Sequence, residues 1–546
     1  ASAVTENMTQ AIIDQYATDW NEWPADLGAP FVDIDGDGVY NPEVDKAGIA
    51  NADQVVWFVC HDFDRTNALG LYGSEPIGIE LQVTAWAYNQ PGARLGQIIF
   101  KKYKMINKSG KDIEEMYVAQ WCDPDLGEAS DDLLGCDTTL SMGYVYNGQD
   151  ADNKYAAFGL APAAVGYDFF QGPLVDGVAG QDINRNGIDD AADYGVFDLK
   201  VVGPGKVNLP MTGFSWFAAG SAISDPPLGE YEGTLCWWNM FRGYVPTENI
   251  DTPTPWTEGN VPVASGGKVT KFPMAGDPVT ETGDLDAHNQ FFQPGDRRMA
   301  LCSGPFTFAA GDTQEVVVAV VGGLGNTRFS SITDMKMTDE IAQVLFDGAF
   351  QGVPKAPTGP KVTARALEDN VVLEWGSDVG AVAATEEPVI AGYSFEGYNI
   401  YQLPSPSATK EQATLLATFD LINGVKVIES NRFLSQYGQN VKVPIQRGTD
   451  SGIKRYFQVT KDYITGKPLY EGSTYYFGVT AYNYNPSPEL IEDKALESAL
   501  IAQAVTIQEE LPGIKYTAKP GETIEYEHSA GGSDGVLEVK VIDPGA

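Results

Sequence analysis

The sequence predicts a mainly β protein with more than one domain. The chain has 546 residues, which is more than one hydrophobic core usually organises. Aromatic residues make up 11% of the chain, and 59 glycines and 33 prolines interrupt it at short intervals. Such a composition favours strands joined by many turns. We therefore expect a large multi-stranded β-sandwich domain, followed by a smaller sandwich and short C-terminal strands.

The first domain is predicted to occupy residues 1–352. Residues 5–20 place apolar side chains on one face of a short amphipathic helix. From about residue 52 to 330, apolar runs such as QVVWFVCH and TQEVVVAVVGG alternate with Gly, Asn, Asp and Pro clusters, as is typical of a large β-sandwich. A Ser/Thr/Asp cap predicts a closing helix over 331–350.

A proline-rich linker over 353–360 is predicted to end the first domain, because prolines remove backbone donors and stiffen the chain. The second domain is predicted over 361–506. Its strand-like runs VVLEW, FEGYNIYQ and STYYFGVTAYNYN resemble a fibronectin type III domain. The resemblance implies that the hydroxyl of Tyr475 bonds to nearby backbone and that the segments near 378–392 and 405–470 are insertions.

The C-terminal segment, residues 507–546, holds two strand-like runs, TIEYEH and GVLEVKVID. A sheet of two strands is marginal alone. Three arrangements are open: the runs extend the preceding domain, begin a further domain absent from this chain, or pair with an edge strand of another subunit.

The charge of the chain is strongly negative. Lys and Arg total 35 against 75 Asp and Glu, a formal charge of −40, which repels nucleic acid phosphates and excludes a nucleic-acid partner. No apolar run is long enough to span a membrane. Acidic surfaces that keep proteins dispersed account for most of this charge, but some carboxylates are spaced regularly enough to bind cations.

Residues 33–45 carry carboxylates at alternating positions, and Gly38 permits a sharp turn. Calcium prefers six to eight hard oxygen ligands, so this spacing predicts a calcium site. The segment resembles the calcium loops of thrombospondin type 3 and dockerin repeats, although it closes at position 13 rather than 12. The predicted ligands are the side chains of Asp33, Asp35 and Asp37, the carbonyl of Val39 and the carboxylate of Asp45.

A second loop of the same kind lies at 182–193, with ligands at positions 1, 3, 5, 7, 9 and 12. Turns rich in Asp, Asn and Gly are the alternative interpretation of each loop. In either loop, calcium is expected to staple a long loop rather than to catalyse a reaction. The predicted ligands are Asp182, Asn184, Asn186, Ile188, Asp190 and Asp193.

Five cysteines show no CxxC spacing, which argues against a zinc ribbon or a redox pair. Cys122 and Cys136 bracket a 13-residue acidic loop and are the preferred candidates for a disulfide; a buried free thiol is an equally ordinary state. The acidic cluster around this loop fits no consensus and is expected to be a solvated loop. It consists of Asp123, Asp125, Glu128, Asp131, Asp132 and Asp137.

Catalysis finds little support in the sequence. There are three histidines and no HExxH, Walker or dinucleotide fingerprint, so the chain is predicted not to be an enzyme. Glycoside hydrolysis needs only two carboxylates and is compatible with this composition. Trp237 and Trp238 are the densest candidates for glycan contact, with packing in the core as the competing interpretation.

Blocks spread over most of the chain resemble large uncharacterised exported proteins of the Bacteroidetes and Ignavibacteria lineage. The resemblance implies export associated with type IX secretion and an extracellular or cell-surface location, and it carries no established activity. The blocks are GAPFVDIDGDGVYNP, ADQVVWFV, GSEPIGIELQ, GYDFFQGP, PGDRRMALCSGPFTFAAGDTQEVVVAVVGG and FEGYNIYQ.

These features predict an extracellular structural subunit of a calcium-stabilised assembly, such as a filament, sheath or surface layer. Self-association through edge or terminal strands is expected. Two alternatives stay open: a carbohydrate-binding adhesin, with glycans as ligands, and a secreted glycan-degrading enzyme.

Overall fold

The computed structural model forms several antiparallel sheets, and the mainly β, sandwich-type fold class predicted from the sequence is confirmed. The chain divides into two compact units, the first chiefly residues 1–351 and the second chiefly 352–546. The structure describes residues 6–90, 94–288, 292–348, 350, 353–367, 370–434, 439–487, 493–507, 517–518, 522–525, 527 and 539–541.

The described part of the first unit contains five α-helices and eighteen strands. The helices are α1 Glu6–Asn21, α2 Arg65–Tyr72, α3 Asn153–Ala156, α4 Tyr231–Phe241 and α5 Arg328–Asp347. The strands are β1 Phe31–Val32, β2 Lys46–Ala47, β3 Gln54–His61, β4 Ile79–Ala87, β5 Ile98–Asn107, β6 Ile113–Cys122, β7 Asp132–Asp137, β8 Met142–Asn147, β9 Ala164–Gln171, β10 Leu174–Asp176, β11 Gly195–Phe197, β12 Lys200–Val202, β13 Lys206–Asn208, β14 Gly213–Ala218, β15 Trp256–Thr257, β16 Val269–Thr270, β17 Arg297–Phe308 and β18 Thr313–Gly323.

A seven-stranded antiparallel sheet in the order β3-β4-β5-β18-β9-β8-β7 forms the frame of this unit. Its central strand, β18, reads TQEVVVAVVGG and is buried along most of its length. A continuous apolar run of this kind fits a strand that is covered on both faces, since alternation with polar residues is needed only where one face meets water.

The second layer is the three-stranded sheet β14-β17-β6. Side chains of the two sheets share one core cluster, in which Val145 and Val318 meet Phe214, Trp216 and Leu301. The far face of the seven-stranded sheet packs against α5. The far face of the three-stranded sheet packs against α4 through Met240, Phe217 and Cys302. The first unit is thus a sandwich with a helix on each side.

The described part of the second unit is a smaller sandwich, with the sheets β19-β20-β25 and β22-β21-β26-β27 around a common core. The hydroxyl of Tyr475 accepts a hydrogen bond from the backbone N–H of Tyr470 at 3.0 Å, as the fibronectin type III resemblance implied. The elements are α6 Val379–Glu386, β19 Thr363–Ala366, β20 Val371–Glu374, β21 Ser394–Leu403, β22 Thr414–Asp420, β23 Val427–Leu434, β24 Gln439–Arg447, β25 Tyr456–Val459, β26 Thr474–Tyr484, β27 Gln503–Thr506, β28 Thr523–Ile524 and β29 Val539–Lys540.

The two C-terminal runs contribute β28 and β29, which pair with each other in antiparallel register. Much of TIEYEH and GVLEVKVID lies outside the described residues. Which of the three arrangements the segment adopts stays a prediction.

The disulfide predicted between Cys122 and Cys136 is not formed, and all five cysteines are free thiols. Cys122 ends β6 in the three-stranded sheet, whereas Cys136 lies on β7 in the seven-stranded sheet. The thiol of Cys122 instead donates to the carbonyl of Met299 at 3.7 Å. Burial raises the pKa of both thiols, so both stay protonated and unreactive at neutral pH.

A pair of buried carboxyl groups lies where α5 packs on the seven-stranded sheet. Asp168 on β9 and Asp339 on α5 are both almost fully buried, and their carboxyl groups interact electrostatically. Loss of hydration raises the pKa of Asp339 to about 7 and that of Asp168 well above its ordinary value. The pair therefore holds at least one proton at neutral pH. The ion pair of Lys336 with Asp137, at 2.7 Å, lies on the same helix face.

This pair predicts that the first unit loses stability as the pH rises from about 4 to about 7. The unfolded carboxyl ionises near pH 4, whereas folded Asp339 resists ionisation up to about 7. Stability is fully present below the lower value and falls by up to roughly 1.4 kcal/mol per pH unit between them. Asp339→Asn should flatten this slope and raise the midpoint of thermal unfolding at pH 8.

Thermal unfolding monitored by circular dichroism from pH 4 to pH 8 measures the effect. Glu340→Gln is the matched control, because Glu340 is the next residue on α5 and is exposed. The stability of the control should depend on pH in the same way as that of the parent protein. A slope that is the same in all three proteins would contradict the assignment.

Candidate functional site

The first candidate cation loop, residues 33–45, joins β1 to β2, and these two short strands pair with each other. The backbone N–H groups of Gly36 and Gly38 donate to the carboxylate of Asp33 at 2.7 and 2.9 Å. The N–H of Val39 donates to Asp37 at 2.7 Å. These bonds wrap the backbone around the side chains. As a result, carboxylate oxygens of Asp33, Asp35 and Asp37 lie within 4.8 Å of one another.

Asp45 occupies a different place from the other carboxylates of this loop. It is buried, and its two oxygens accept the N–H groups of Ile34 and Asn41 at 2.9 and 2.8 Å. Asp45 therefore braces the two halves of the loop from inside, and its role as the closing ligand stays a prediction.

The second candidate cation loop, residues 182–193, repeats this scheme. Asp182 accepts the N–H groups of Asn186 and Gly187, both at 3.0 Å. Asn186 in turn accepts the N–H of Ile188 at 2.8 Å. The buried carboxylate of Asp190 accepts the N–H of Ile183 at 2.9 Å. Asp45 makes the equivalent hydrogen bond in the first loop, with the N–H of Ile34.

Three of the predicted ligands in the second loop converge on one point. The side-chain amides of Asn184 and Asn186 both donate to the same carboxylate oxygen of Asp193, at 2.8 and 2.9 Å. The carboxylate of Asp193 and the two amide side chains thus surround one position. Carboxylate and amide oxygens are ligands that suit calcium.

The two loops share their turn geometry as well as their hydrogen bonds. Gly38 and Gly187 stand at the sixth position and have φ of 76° and 85°. Residues other than glycine reach this left-handed region only at a cost. Two distant segments thus use the same backbone scheme to point hard oxygen atoms inward, and the residues present fit a calcium ion in both loops.

The third acidic cluster is arranged around a cation supplied by the chain. Asp123 and Asp125 meet Asp296 rather than their sequence neighbours. Arg298 forms ion pairs with Asp123 and Asp296, both at 3.0 Å, and with Asp225 at 3.4 Å. Burial raises the pKa of Asp123, and Arg298 opposes this rise. A single arginine therefore holds carboxylates from three segments together.

Sequence reasoning missed Asp225, Asp296 and Arg298, although the last two lie in the block PGDRRM. Of the other residues assigned to the cluster, Asp132 accepts the N–H of Leu126 at 3.0 Å and Asp137 pairs with Lys336. The paired charges in PGDRRM were the signal that could have pointed to an internal ion-pair network.

The two adjacent tryptophans of α4 have different environments. Trp237 packs on Phe217 and Phe241, each at 6.0 Å between ring centroids, and so belongs to the contact between helix and sheet. Trp238 carries the guanidinium of Arg242 over its ring at 5.2 Å, and the same guanidinium lies 5.6 Å from the ring of Tyr244. Trp238, Arg242 and Tyr244, which we call the Trp238 row, are partly exposed.

Strand β3 forms one edge of the seven-stranded sheet. It has no Asp, Glu, Lys or Arg over its eight residues, QVVWFVCH. Its outer edge has no partner strand among the described residues, so its backbone donors and acceptors on that side are open to another chain. Several of its apolar side chains are also exposed: Val56 by 50%, Phe58 by 48% and Val59 by 41%.

No protein-family model matches the chain, and no curated protein matches it. One solved structure that matches is that of a polysaccharide lyase, at 8% sequence identity and a TM-score of 0.19. The match covers 79% of this chain and 34% of the lyase, so the chain spans about a third of its length. On this finding the prediction that the chain is not an enzyme is wrong. So low a TM-score assigns no substrate or activity to this chain.

Among the described helices, none has the length and apolar character needed to cross a membrane.

Proposed function

We propose that the protein is a structural subunit of an extracellular assembly stabilised by calcium, and that copies associate through strand β3. The observation that carries this proposal is the open, uncharged edge of the seven-stranded sheet. An edge strand of eight residues with exposed apolar side chains is a ready template for pairing with another strand.

The charge distribution supports a second copy of the chain as the occupant of this edge. Two copies that each carry a formal charge of −40 repel each other over most of their surfaces. Strand β3 offers a strip without charged side chains, so two copies can approach there without bringing carboxylates together. Antiparallel pairing of β3 with its counterpart would join two seven-stranded sheets around a twofold axis.

The first cation loop is placed to influence this edge. Gly48, just after the loop, lies so close to Val55 that an added Cβ would meet the valine side chain at 2.6 Å. Within the loop, the hydroxyl of Tyr40 donates to the carbonyl of Trp20 in α1 at 2.7 Å. A calcium ion held by Asp33, Asp35 and Asp37 would therefore fix the segment that links α1 to β3.

Helix α1 adds a second apolar surface beside this segment. Ile12, Ile13 and Tyr16 are each more than half exposed, although they form the apolar face of the helix. Two exposed apolar elements joined by one cation loop fit a subunit whose N-terminal region is covered on assembly.

Calcium binding in the second loop predicts a stability effect that depends on the metal. Asp182→Ala should lower the midpoint of thermal unfolding more in calcium than in excess chelator, because the variant removes a metal ligand as well as the acceptor of two backbone N–H groups. The expected additional loss in calcium is about 2.7 kcal/mol when calcium stands at about a hundred times its Kd. Thermal unfolding in both buffers gives the comparison.

Asp189→Ala is the control for this experiment. Asp189 lies in the same loop and accepts the N–H groups of Gly180 and Ala191, but it is not a predicted ligand. The loss of stability in Asp189→Ala should be similar in calcium and in chelator. If Asp182→Ala also loses as much stability in chelator as in calcium, calcium ligation there is refuted.

Pairing through β3 predicts that a charge on this strand abolishes assembly. Phe58→Lys should leave the first unit folded, since the side chain is half exposed, and should convert polymers or dimers formed in calcium into monomers. Light scattering coupled to size exclusion, with electron microscopy, measures the particle size. Val269→Lys, at a 55% exposed strand position elsewhere, should assemble like the parent. Particles of unchanged size in Phe58→Lys would exclude β3 as the interface.

The Trp238 row favours a second candidate function, binding of glycans. Aromatic rings next to a guanidinium suit sugar rings that carry hydroxyl or acidic groups. Trp238→Ala should abolish the retardation of the protein in gels containing polysaccharide, while Trp121→Ala, at an exposed tryptophan on β6, should not. The chain length of each polysaccharide should also be measured after incubation with the protein, because a decrease would indicate an enzyme. Equal mobility of all three proteins with every polysaccharide would reject this candidate.

A further inference from the structure

A strained hairpin follows the second cation loop. Strands β11 and β12 pair with Phe197 opposite Lys200, which leaves a turn of two residues, Asp198 and Leu199. Their φ angles are 50° and 55°. Turns of this type favour Asn-Gly, because both central residues adopt the left-handed conformation. A leucine there is unfavourable, and such strain persists only where the surroundings enforce it.

The tip of this hairpin is held by two side chains of the seven-stranded sheet. The N–H of Asp198 donates to Oε2 of Glu315 on β18 at 2.7 Å. The carboxylate Oδ1 of Asp198 lies 3.0 Å from Nζ of Lys102 on β5. The same Nζ lies 3.5 Å from Oε1 of Glu315. An amine, a carboxyl group and a second carboxyl group thus lie within reach of one another.

Two members of this set, Lys102 and Glu315, are withdrawn from water. Their side chains are 7% and 1% exposed, whereas that of Asp198 is 59% exposed. Oε1 of Glu315 is buried and accepts no hydrogen bond from the described residues. Lys102 lies opposite Thr84 on one side and Val317 on the other, and both are buried. The amine is therefore confined beside the carboxyl group of Asp198.

We propose that Lys102 and Asp198 form an intramolecular isopeptide bond, with Glu315 as the proton acceptor. The neutral amine of Lys102 attacks Cγ of Asp198 after Oε1 of Glu315 takes a proton from it. A C–N bond forms and one C–O bond of the carboxyl group breaks. From an ammonium and a carboxylate, two of the three ammonium protons leave with one carboxylate oxygen as water. No oxidant or reductant takes part.

Proximity lowers the barrier to this condensation. Amines and carboxylic acids in dilute solution do not condense in water. Groups held in a reactive arrangement react with effective molarities of about 10⁵ M or more, because the fold has already brought them together. The exposed side of Asp198 gives the released water a path to solvent. Glu315 meets the geometric requirement by holding the Asp198 backbone with one oxygen and facing the amine with the other.

The bond would fasten a long excursion of the chain to the sheet. Residues 172–209 leave β9 and carry the second cation loop before they return to the core at Leu209. A covalent link at Asp198 closes this excursion in a way that does not depend on calcium.

Intact-mass spectrometry of the purified full chain under denaturing conditions tests the proposal. The parent protein should be lighter than its sequence by the mass of one water molecule, and digestion should yield one linked peptide that contains both Lys102 and Asp198. Lys102→Arg keeps the charge but cannot form the link, so it should show its full sequence mass. Asp198→Asn should still form the link but release ammonia instead of water.

Lys104→Arg is the matched control, because Lys104 lies directly opposite Glu315 on β5 and no ion pair joins the two among the described residues. It should retain the loss of one water. Glu315→Gln should show mainly the unlinked mass. A parent protein with its full sequence mass and separate peptides for Lys102 and Asp198 would overturn the proposal and leave an ion pair. This outcome does not depend on whether any variant folds.

Discussion

Burial of β18 on both faces is the constraint on which the first unit depends. One face of this strand shares a core with Phe214 and Trp216 of the three-stranded sheet, and the other lies beneath α5. Its neighbours β5 and β9 take their register from it. Because the space between the layers is filled with apolar side chains, the acidic segments are driven into long excursions outside the layers, where backbone groups need other partners.

The chain satisfies its buried carboxyl groups in three different ways. Asp45 and Asp190 accept backbone N–H groups inside their loops. Asp286 forms a pair with Arg297 at 3.0 Å in the core. Asp168 and Asp339 instead resist ionisation, because burial raises the pKa of both carboxyl groups. The choice follows the surroundings. N–H groups are free in turns, Arg297 comes from a neighbouring strand, and the Lys336 cation of α5 is already paired with Asp137.

The features that the sequence predicted are those with short-range signals. The apolar run of β18, the helical spacing of α5 and the alternating oxygens of both cation loops each lie within a few residues. The sets around Arg298 and Lys102 could not be predicted in this way, because Asp123 and Arg298, or Lys102 and Glu315, are brought together only by strand pairing. The disulfide prediction failed for the same reason: nearness of Cys122 and Cys136 in sequence does not place them in one sheet.

The two cation loops are held in place by different contacts. This difference determines at which loop calcium binding has the larger effect on association. The second loop lies in an excursion that Lys102 and Glu315 already hold at Asp198, so an ion there adds to an existing fastening. The first loop is tied internally by Asp45 and by the short pair β1 and β2, and it leads directly to the open edge at β3. A ligand has the largest effect where the structure without it is least constrained. Control of association by calcium should therefore pass through the first loop, while the second maintains the fold.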